Sequence, residues 1–234
     1  MERLDKLIAS QGKYSRKEVK ALIARRRVTV DGVTAKAPEQ KVDADKSTIA
    51  IDGTPFTVKK QLYLMLNKPR GYVSSTDDSD GVSVLELVPR ELFRQGLFPA
   101  GRLDKDTTGM MVITDDGQMA HRILAPKKHV KKQYLVTIDI PLTETMRTRF
   151  AEGIHLVEGL TKPAMLEIVG EYRALVTLTE GRYHQIKRMF SACGATVTAL
   201  HRVSMGNLRM PDDLAEGEVR ELTAEELLLL EEIE

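Results

Sequence analysis

The sequence predicts an α+β fold in two parts. Residues 1–58 read as a small unit of two helices plus a small sheet, and residues 59–234 as a larger domain around a mixed, largely antiparallel sheet. Three observations lead there. Strand and helix patterns are mixed without regular strand–helix–strand alternation, which argues against a parallel α/β fold. Two Asp-Gly pairs, Asp31-Gly32 and Asp52-Gly53, adjoin short alternating apolar runs, the usual sign of hairpin turns. Between the two parts, "GTPFTVKKQ" (Gly53–Gln61) reads as a linker.

The elements follow in order. Leu4, Leu7 and Ile8 put one apolar face on a first helix over Glu2–Gln11, with Gly12 placed as its C-terminal cap. "SRKE" (Ser15–Glu18) is a capping box for a second helix, whose stripe is Val19, Leu22 and Ile23. Val28–Thr34 and Ser47–Ile51 read as short strands. In the larger part, Leu62–Leu66 is a strand, "NKPRG" a turn, and Leu85–Phe98 part helix and part loop. Met110–Thr114 is a short buried strand, Gln118–Leu124 a helix, Lys131–Ile140 a strand and Thr145–Glu152 a helix. Met165–Val169 and Ala174–Thr179 are strands, and Tyr183–Ala192 is a helix turning Ile186, Met189 and Phe190 inward. Val197–Leu208 mixes strand and turn, and a capping box at Thr223–Glu226 starts an acidic C-terminal helix.

Charge is unevenly spread. The formal net charge is +1, yet residues 1–30 hold nine Lys/Arg against three acids, and residues 211–234 hold ten acids and one arginine. A basic front suggests a polyanionic partner, with the acidic tail merely solvated. The single cysteine, Cys193, excludes an internal disulfide and a Cys-based zinc site. No apolar run approaches a membrane span, and a charged start from Glu2 argues against a secretory signal. A cytoplasmic protein without membrane association is expected.

Three stretches could carry chemistry. In "GRLDKDTTGMMVITDDG" (Gly101–Gly117), Asp104 and Asp106 stand directly before an apolar run, where acids are costly unless paired. "KKQYLV" places Tyr134 on a strand just after Lys127, Lys128, Lys131 and Lys132. "EGRYHQIKRMF" gathers Arg182, His184, Lys187 and Arg188 at a helix start, where dipole and cations together attract anions. In the front unit, Arg16, Lys17, Lys20 and Arg27 share one basic face suited to a phosphate backbone.

The segment "RLDKLIASQGKYSRKEVKALIARRRVTVDG" (Arg3–Gly32) resembles the S4 domain, a small RNA-binding module. The family often has a glycine just before the Val28–Val30 strand, where this chain has Arg26-Arg27. The larger part resembles the pseudouridine synthases of the RsuA/RluB type. "GRLDKDTTGMMVITDDG" matches their signature, "KQYLV" their second motif, and "GRYHQIKRMF" followed by "LHRVSMGNL" their third. "LNKPRGYVSSTDD" (Leu66–Asp78) resembles the start of the same domain, and Met110-Met111 replaces its usual leucine pair, a change expected to alter packing only. The resemblance covers nearly the whole chain.

That resemblance implies roles. Asp104 would be the nucleophile, Tyr134 the active-site tyrosine and Lys187 the basic partner of Asp104. Leu200 would form an apolar wall. Arg102, Thr108, Arg182, His184, Gln185 and Arg188 would contact substrate, and Arg3, Arg16, Lys17, Lys20 and Arg27 the RNA backbone. The reaction breaks the bond from uracil N1 to ribose, rotates the base and rejoins it through C5. It gains no atoms or electrons, so no cofactor and no metal are expected. "GRYHQIKRMF" is closer to the small-subunit branch, so the implied substrate is 16S (small-subunit) ribosomal RNA, free or as an assembly intermediate, acted on by a monomer. Two alternatives stand beside this reading: a non-catalytic RNA-binding or ribosome-assembly protein, and a haloacid-dehalogenase-type phosphatase. "DKDTT" fits the phosphatase D-x-D-x-T pattern but lacks the apolar strand running into its first aspartate.

Overall fold

The computed structural model describes residues 1–76, 81–125 and 130–231. They fall into two compact units, Met1–Leu62 with Val88–Leu97, and Tyr63–Leu87 with Phe98–Glu234. A division at 58/59 leaves 88–97 with the larger part; in the structure that segment groups with the first unit. Arg94 explains why: its side chain is buried and donates to the carbonyls of Lys59 (2.8 Å) and Lys60 (3.2 Å).

The first unit runs β1 (Glu2–Arg3), α1 (Leu4–Ala9), α2 (Arg16–Ala24), β2 (Val28–Val30), β3 (Val33–Thr34), β4 (Lys41–Val42), β5 (Ile49–Ile51) and β6 (Thr54–Phe56). Its sheet has the order β3-β2-β5-β6, and β1 pairs with β4. The expected first helix starts two residues later, because Glu2 and Arg3 are drawn into pairing with Val42 and Lys41, and it ends at Ala9 with Ser10 as its C-cap. The Ser15–Glu18 capping box forms in both directions, at 3.3 and 2.7 Å. Asp31-Gly32 and Asp52-Gly53 both take positive φ at both positions, as type I′ hairpin turns require. The expected linker Gly53–Gln61 is partly strand, since Thr54–Phe56 continues the sheet against β5. Arg26, standing where the S4 family often has glycine, adopts φ 58°, so the turn keeps the left-handed shape that glycine would favour. Leu4, Ile8, Val19 and Val28 are fully enclosed at the centre of this unit.

The second unit continues with β7 (Tyr63–Lys68), a 3-10 turn (Val84–Leu87), β8 (Phe98–Pro99), β9 (Thr108–Thr114), α3 (Gly117–Leu124) and β10 (Lys132–Ile138). It goes on through α4 (Glu144–Glu152), β11 (His155–Leu156), β12 (Gly159–Leu160), β13 (Met165–Gly170), β14 (Arg173–Leu178) and α5 (Gln185–Ala192). It closes with β15 (Val197–Met205), β16 (Leu208–Arg209), β17 (Val219–Glu221) and α6 (Ala224–Glu231). The main sheet has the order β13-β14-β10-β15-β9-β7-β17, with β16 on β15 and β8 on β9. Among the described residues its pairings are antiparallel except β15 with β9, so the expected mixed, largely antiparallel domain is present. One core packs α4 and α5 on the β13–β15 half, with Phe150 and Phe190 in ring contact at 4.8 Å. A second packs α3 and α6 around Met65, Met110 and Val112. Met110 and Met111 are both fully buried.

The parallel join matters for the site, because β9 leads away from Asp104 and β15 carries Leu200 and Arg202. Gly109 sits at the join with φ 100°, opposite Arg202. A Cβ there would strike the Arg202 backbone oxygen and nitrogen. Gly109→Ala should therefore cost about 2–4 kcal/mol through strain and displacement of β15, read as a lowered denaturant midpoint. A midpoint equal to wild type would show that the join tolerates the added carbon.

Candidate active site

Asp104 lies on the loop between β8 and β9, and that loop is pinned from below. Lys68, at the end of β7 and fully buried, donates its ammonium to the carbonyls of Thr107 (2.8 Å), Pro69 (3.0 Å) and Lys105 (3.3 Å). Ser74 grips Leu103 through both backbone groups, at 2.9 and 3.0 Å. The Asp104 carbonyl accepts from Thr107 N at 3.1 Å, which closes a turn around Lys105-Asp106. Burial brings the Lys68 pKa down to about 8, against the pull of Asp106 and Asp104.

The two aspartates share one cation. Lys187, in the first turn of α5, places Nζ 2.9 Å from Asp104 Oδ2 and 2.6 Å from Asp106 Oδ1. His184 Nε2 is 3.4 Å from the other Asp104 oxygen. Burial works against the Lys187 charge, but the hydrogen bonds to Asp106 and Asp104 outweigh it and raise its pKa above the ordinary lysine value. Burial likewise opposes the Asp106 charge, and the Lys187 contact still holds that carboxyl below the ordinary range. The stability from the Asp106–Lys187 pair is thus present at neutral pH. It is lost as pH falls through the depressed Asp106 pKa, and again as pH rises through the raised Lys187 pKa. Because Asp106 is 62% exposed, Asp106→Asn should cost under about 1 kcal/mol at neutral pH, with no difference from wild type once Asp106 is protonated. Urea melts at neutral and strongly acidic pH check this, and a difference that survives acid would contradict it.

These groups open on a cavity of about 1150 Å³. Asp104, Tyr134, Lys187, Leu200, Arg102, Arg182, His184 and Gln185 all line it, so most of the residues expected at the site converge there. Arg102 is exposed on its rim. Tyr183, 71% exposed, stacks on His184 with ring centroids 3.8 Å apart. The helix expected from Tyr183 begins two residues later, because His184 takes a left-handed conformation that turns the chain into α5.

Some expected contacts are spent inside the protein. Arg182 donates to the carbonyls of Gly159 (2.9 Å) and Leu160 (2.5 Å), and Arg188 forms a two-pronged pair with Glu158, so both guanidinium groups brace the β11–β12 hairpin. Gln185 is buried and bridges Glu180 (2.7 Å) and the Arg182 amide (2.8 Å). Thr108 Oγ1 lies 2.8 Å from His201 Nδ1. In the first unit Arg3 and Arg16 pair with the buried Asp5, and Arg27 pairs with Asp52. Lys17 and Lys20 are exposed, and neither forms an ion pair among the described residues. Lys127 and Lys128 lie outside the described residues. Sequence reasoning missed Lys68, which sits in "NKPRG" and reads as a turn residue, and Arg202, which hides in "LHRVSMGNL".

The phosphatase alternative needs a strand running into the first aspartate, whereas β9 starts after it, at Thr108. Among the described residues there is no group of three or more His, Cys, Asp or Glu able to hold a metal, and no helix is long and apolar enough to cross a membrane.

A paired aspartate in a cation-rimmed cavity, in a chain that begins with a basic helical unit, suits an anionic substrate. The S4 domain profile matches residues 2–46, and that of RNA pseudouridylate synthase matches residues 62–192. The chain belongs to the RNA pseudouridylate synthase family. It is 45% identical to the "Uncharacterized RNA pseudouridine synthase YtzG" of Bacillus subtilis, over 98% of both chains. It is 45% identical to the "Ribosomal small subunit pseudouridine synthase A" of Escherichia coli K12, over 96% of this chain and 98% of the relative. The enzyme of the same name from Yersinia pestis is 43% identical over 96% of each. A solved structure described as "Crystal structure of pseudouridylate synthase" matches with a TM-score of 0.69 and 40% identity, over 98% of this chain and 100% of that one.

Proposed function

We propose that this enzyme converts a uridine of small-subunit ribosomal RNA to pseudouridine, with Asp104 as the nucleophile on a flipped-out uridine. The observation that carries this reading is the Asp104 carboxylate held 2.9 Å from Lys187 on a cavity that Tyr134 and Leu200 also line. Lys187 offsets the desolvation of Asp104 and fixes its direction of attack. Tyr134 stacks on the extruded uracil and assists late proton removal. Leu200 supplies an apolar wall. Unstacking the target costs a few kcal/mol, which phosphate contacts offset. The small-subunit substrate is supported by the two relatives named for it. Residues 1–58 serve as the RNA-binding domain and 59–234 as the catalytic domain of a cytoplasmic monomer.

Incubation with small-subunit RNA, large-subunit RNA and transfer RNA, free and protein-bound, followed by mapping of new pseudouridines, tests the substrate. One new site confined to small-subunit RNA is expected; a site in another RNA instead would overturn that assignment. For the front unit, Lys20→Ala should weaken RNA binding and reduce the slope of log affinity against log salt by about one. An unchanged slope would remove this helix face from the RNA interface.

A further inference from the structure

Part of the cavity wall is sheet. Tyr134 on β10 pairs with Arg202 on β15, and Val136 with Leu200. Lys132 stands two residues before Tyr134 on the same strand, and therefore on the same face. Lys132, Tyr134, Leu178, Leu200 and Arg202 all line the cavity.

Among the described residues, no acid pairs with the two cations in this wall. Arg202 is 1% exposed; its Nε donates to the Met110 carbonyl at 2.6 Å, and its Nη2 is enclosed with no hydrogen-bond partner among the described residues. Lys132 spends one donor on the Val130 carbonyl at 3.2 Å, leaving two of its three. Burial, with the like charge of Arg202, lowers the Lys132 pKa to about 8. No ion pair joins either side chain to a carboxylate among the described residues, whereas Lys187 has two. A buried cation without a counter-charge is costly, and two close together add repulsion. Such a wall favours an incoming anion.

The reaction makes one. With Asp104 attacking the sugar, its carboxylate bonds C1′ as the bond from N1 to C1′ breaks; the electron pair of that bond leaves with the uracil ring, and the negative charge spreads over N1, O2 and O4. After the ring turns, C5 uses that pair to bond C1′ as the Asp104–C1′ bond breaks and the carboxylate is restored. The C5 proton then leaves and N1 gains one, so atoms and electrons balance.

We propose that Lys132 and Arg202 form an anion-holding wall for the detached uracil ring, Lys132 donating to a ring oxygen and Arg202 supplying fixed positive charge behind it. The inference rests on the pseudouridine synthase reading. RNA also offers its backbone phosphates, but the apolar neighbours Leu178 and Leu200 and the near-complete enclosure of Arg202 suit a flat, delocalised ring better than a hydrated diester.

The test compares Lys132→Met and Arg202→Met with wild type in single-turnover formation of the C–C-linked nucleoside at saturating enzyme. Two target RNAs are used, one with uridine and one with 5-fluorouridine at the modified position. Fluorine withdraws electrons and stabilises the ring anion without the protein's help; C5 of that ring has no proton to lose, so after it bonds C1′ the remaining N1–C6 double bond takes up water, and this hydrated C–C-linked nucleoside is the product counted. Wild type must convert the uridine RNA; if it does not, the family activity itself is at fault on this substrate. With wild type active, Lys132→Met should slow conversion of uridine by about 10²-fold. The defect on 5-fluorouridine should shrink to about tenfold or less, with RNA affinity and its salt dependence unchanged. Equal losses on both substrates, or no loss, would overturn the proposal. So would weakened RNA binding with a reduced salt slope and normal single-turnover rates, which would assign the cations to a phosphate. If Arg202→Met does not fold, Lys132→Met carries the test alone, since it replaces a partly desolvated amine with an apolar chain of similar length.

Discussion

Asp104→Asn should lower isomerisation by about 10⁴-fold or more while leaving RNA affinity within a factor of two or so of wild type, the pattern of a lost nucleophile rather than a lost binding contact. The substitution keeps the size of the side chain. Its amide can still meet the loop and α5, but it has no charge with which to bond carbon. Lys187 keeps Asp106 as a partner at 2.6 Å, so the loop is not left without its cation. Rates at saturating enzyme and a separate binding titration distinguish the two effects. A variant that loses affinity in proportion to rate would place Asp104 in binding and not in chemistry.

Lys68→Met should be the most damaging change away from the reacting groups. Lys68 is fully buried, and its ammonium is the shared donor for three carbonyls, two of them in the Lys105–Thr107 stretch that follows Asp104. Methionine fills much of the volume but satisfies none of those acceptors. Stranding buried acceptors should cost about 2–4 kcal/mol in unfolding free energy. The loop then loses its support, and a displacement near 1 Å at a reacting group is worth about 10²-fold in rate. Chemical denaturation and single-turnover conversion measure the two losses. Wild-type stability with normal rates would show that the turn at Asp104 holds itself.

What was legible in the sequence was what local chemistry decides. The Ser15–Glu18 box, the two Asp-Gly turns and the inward faces of α2 and α5 need only neighbours in the chain, and each appears as expected. Asp116, which was not singled out in the sequence, is also settled by near neighbours: the second acid of "TDDG" caps α3 by accepting from the amides of Gln118 and Met119. What depends on distant partners was less visible. Arg182 and Arg188 look like substrate cations in the sequence, but Gly159, Leu160 and Glu158, which claim them, lie on a hairpin far back in the chain. Glu2 and Arg3 fit a helix pattern until β4 offers them strand partners. Lys68 fits a turn until the β9 loop folds over it. Asp104 and Lys187 were paired through family resemblance, since no local pattern joins a loop before one strand to a helix so much later.

The central claim is that this chain breaks and remakes the bond between a ribosomal uridine and its ribose, and the most direct measurement follows the hydrogen at C5. Small-subunit RNA carrying tritium at uracil C5 is incubated with the enzyme, with and without ribosomal proteins. Tritium release should match the appearance of one pseudouridine per RNA with no added cofactor. No release from either form, under conditions where the RNA is bound, would contradict the account.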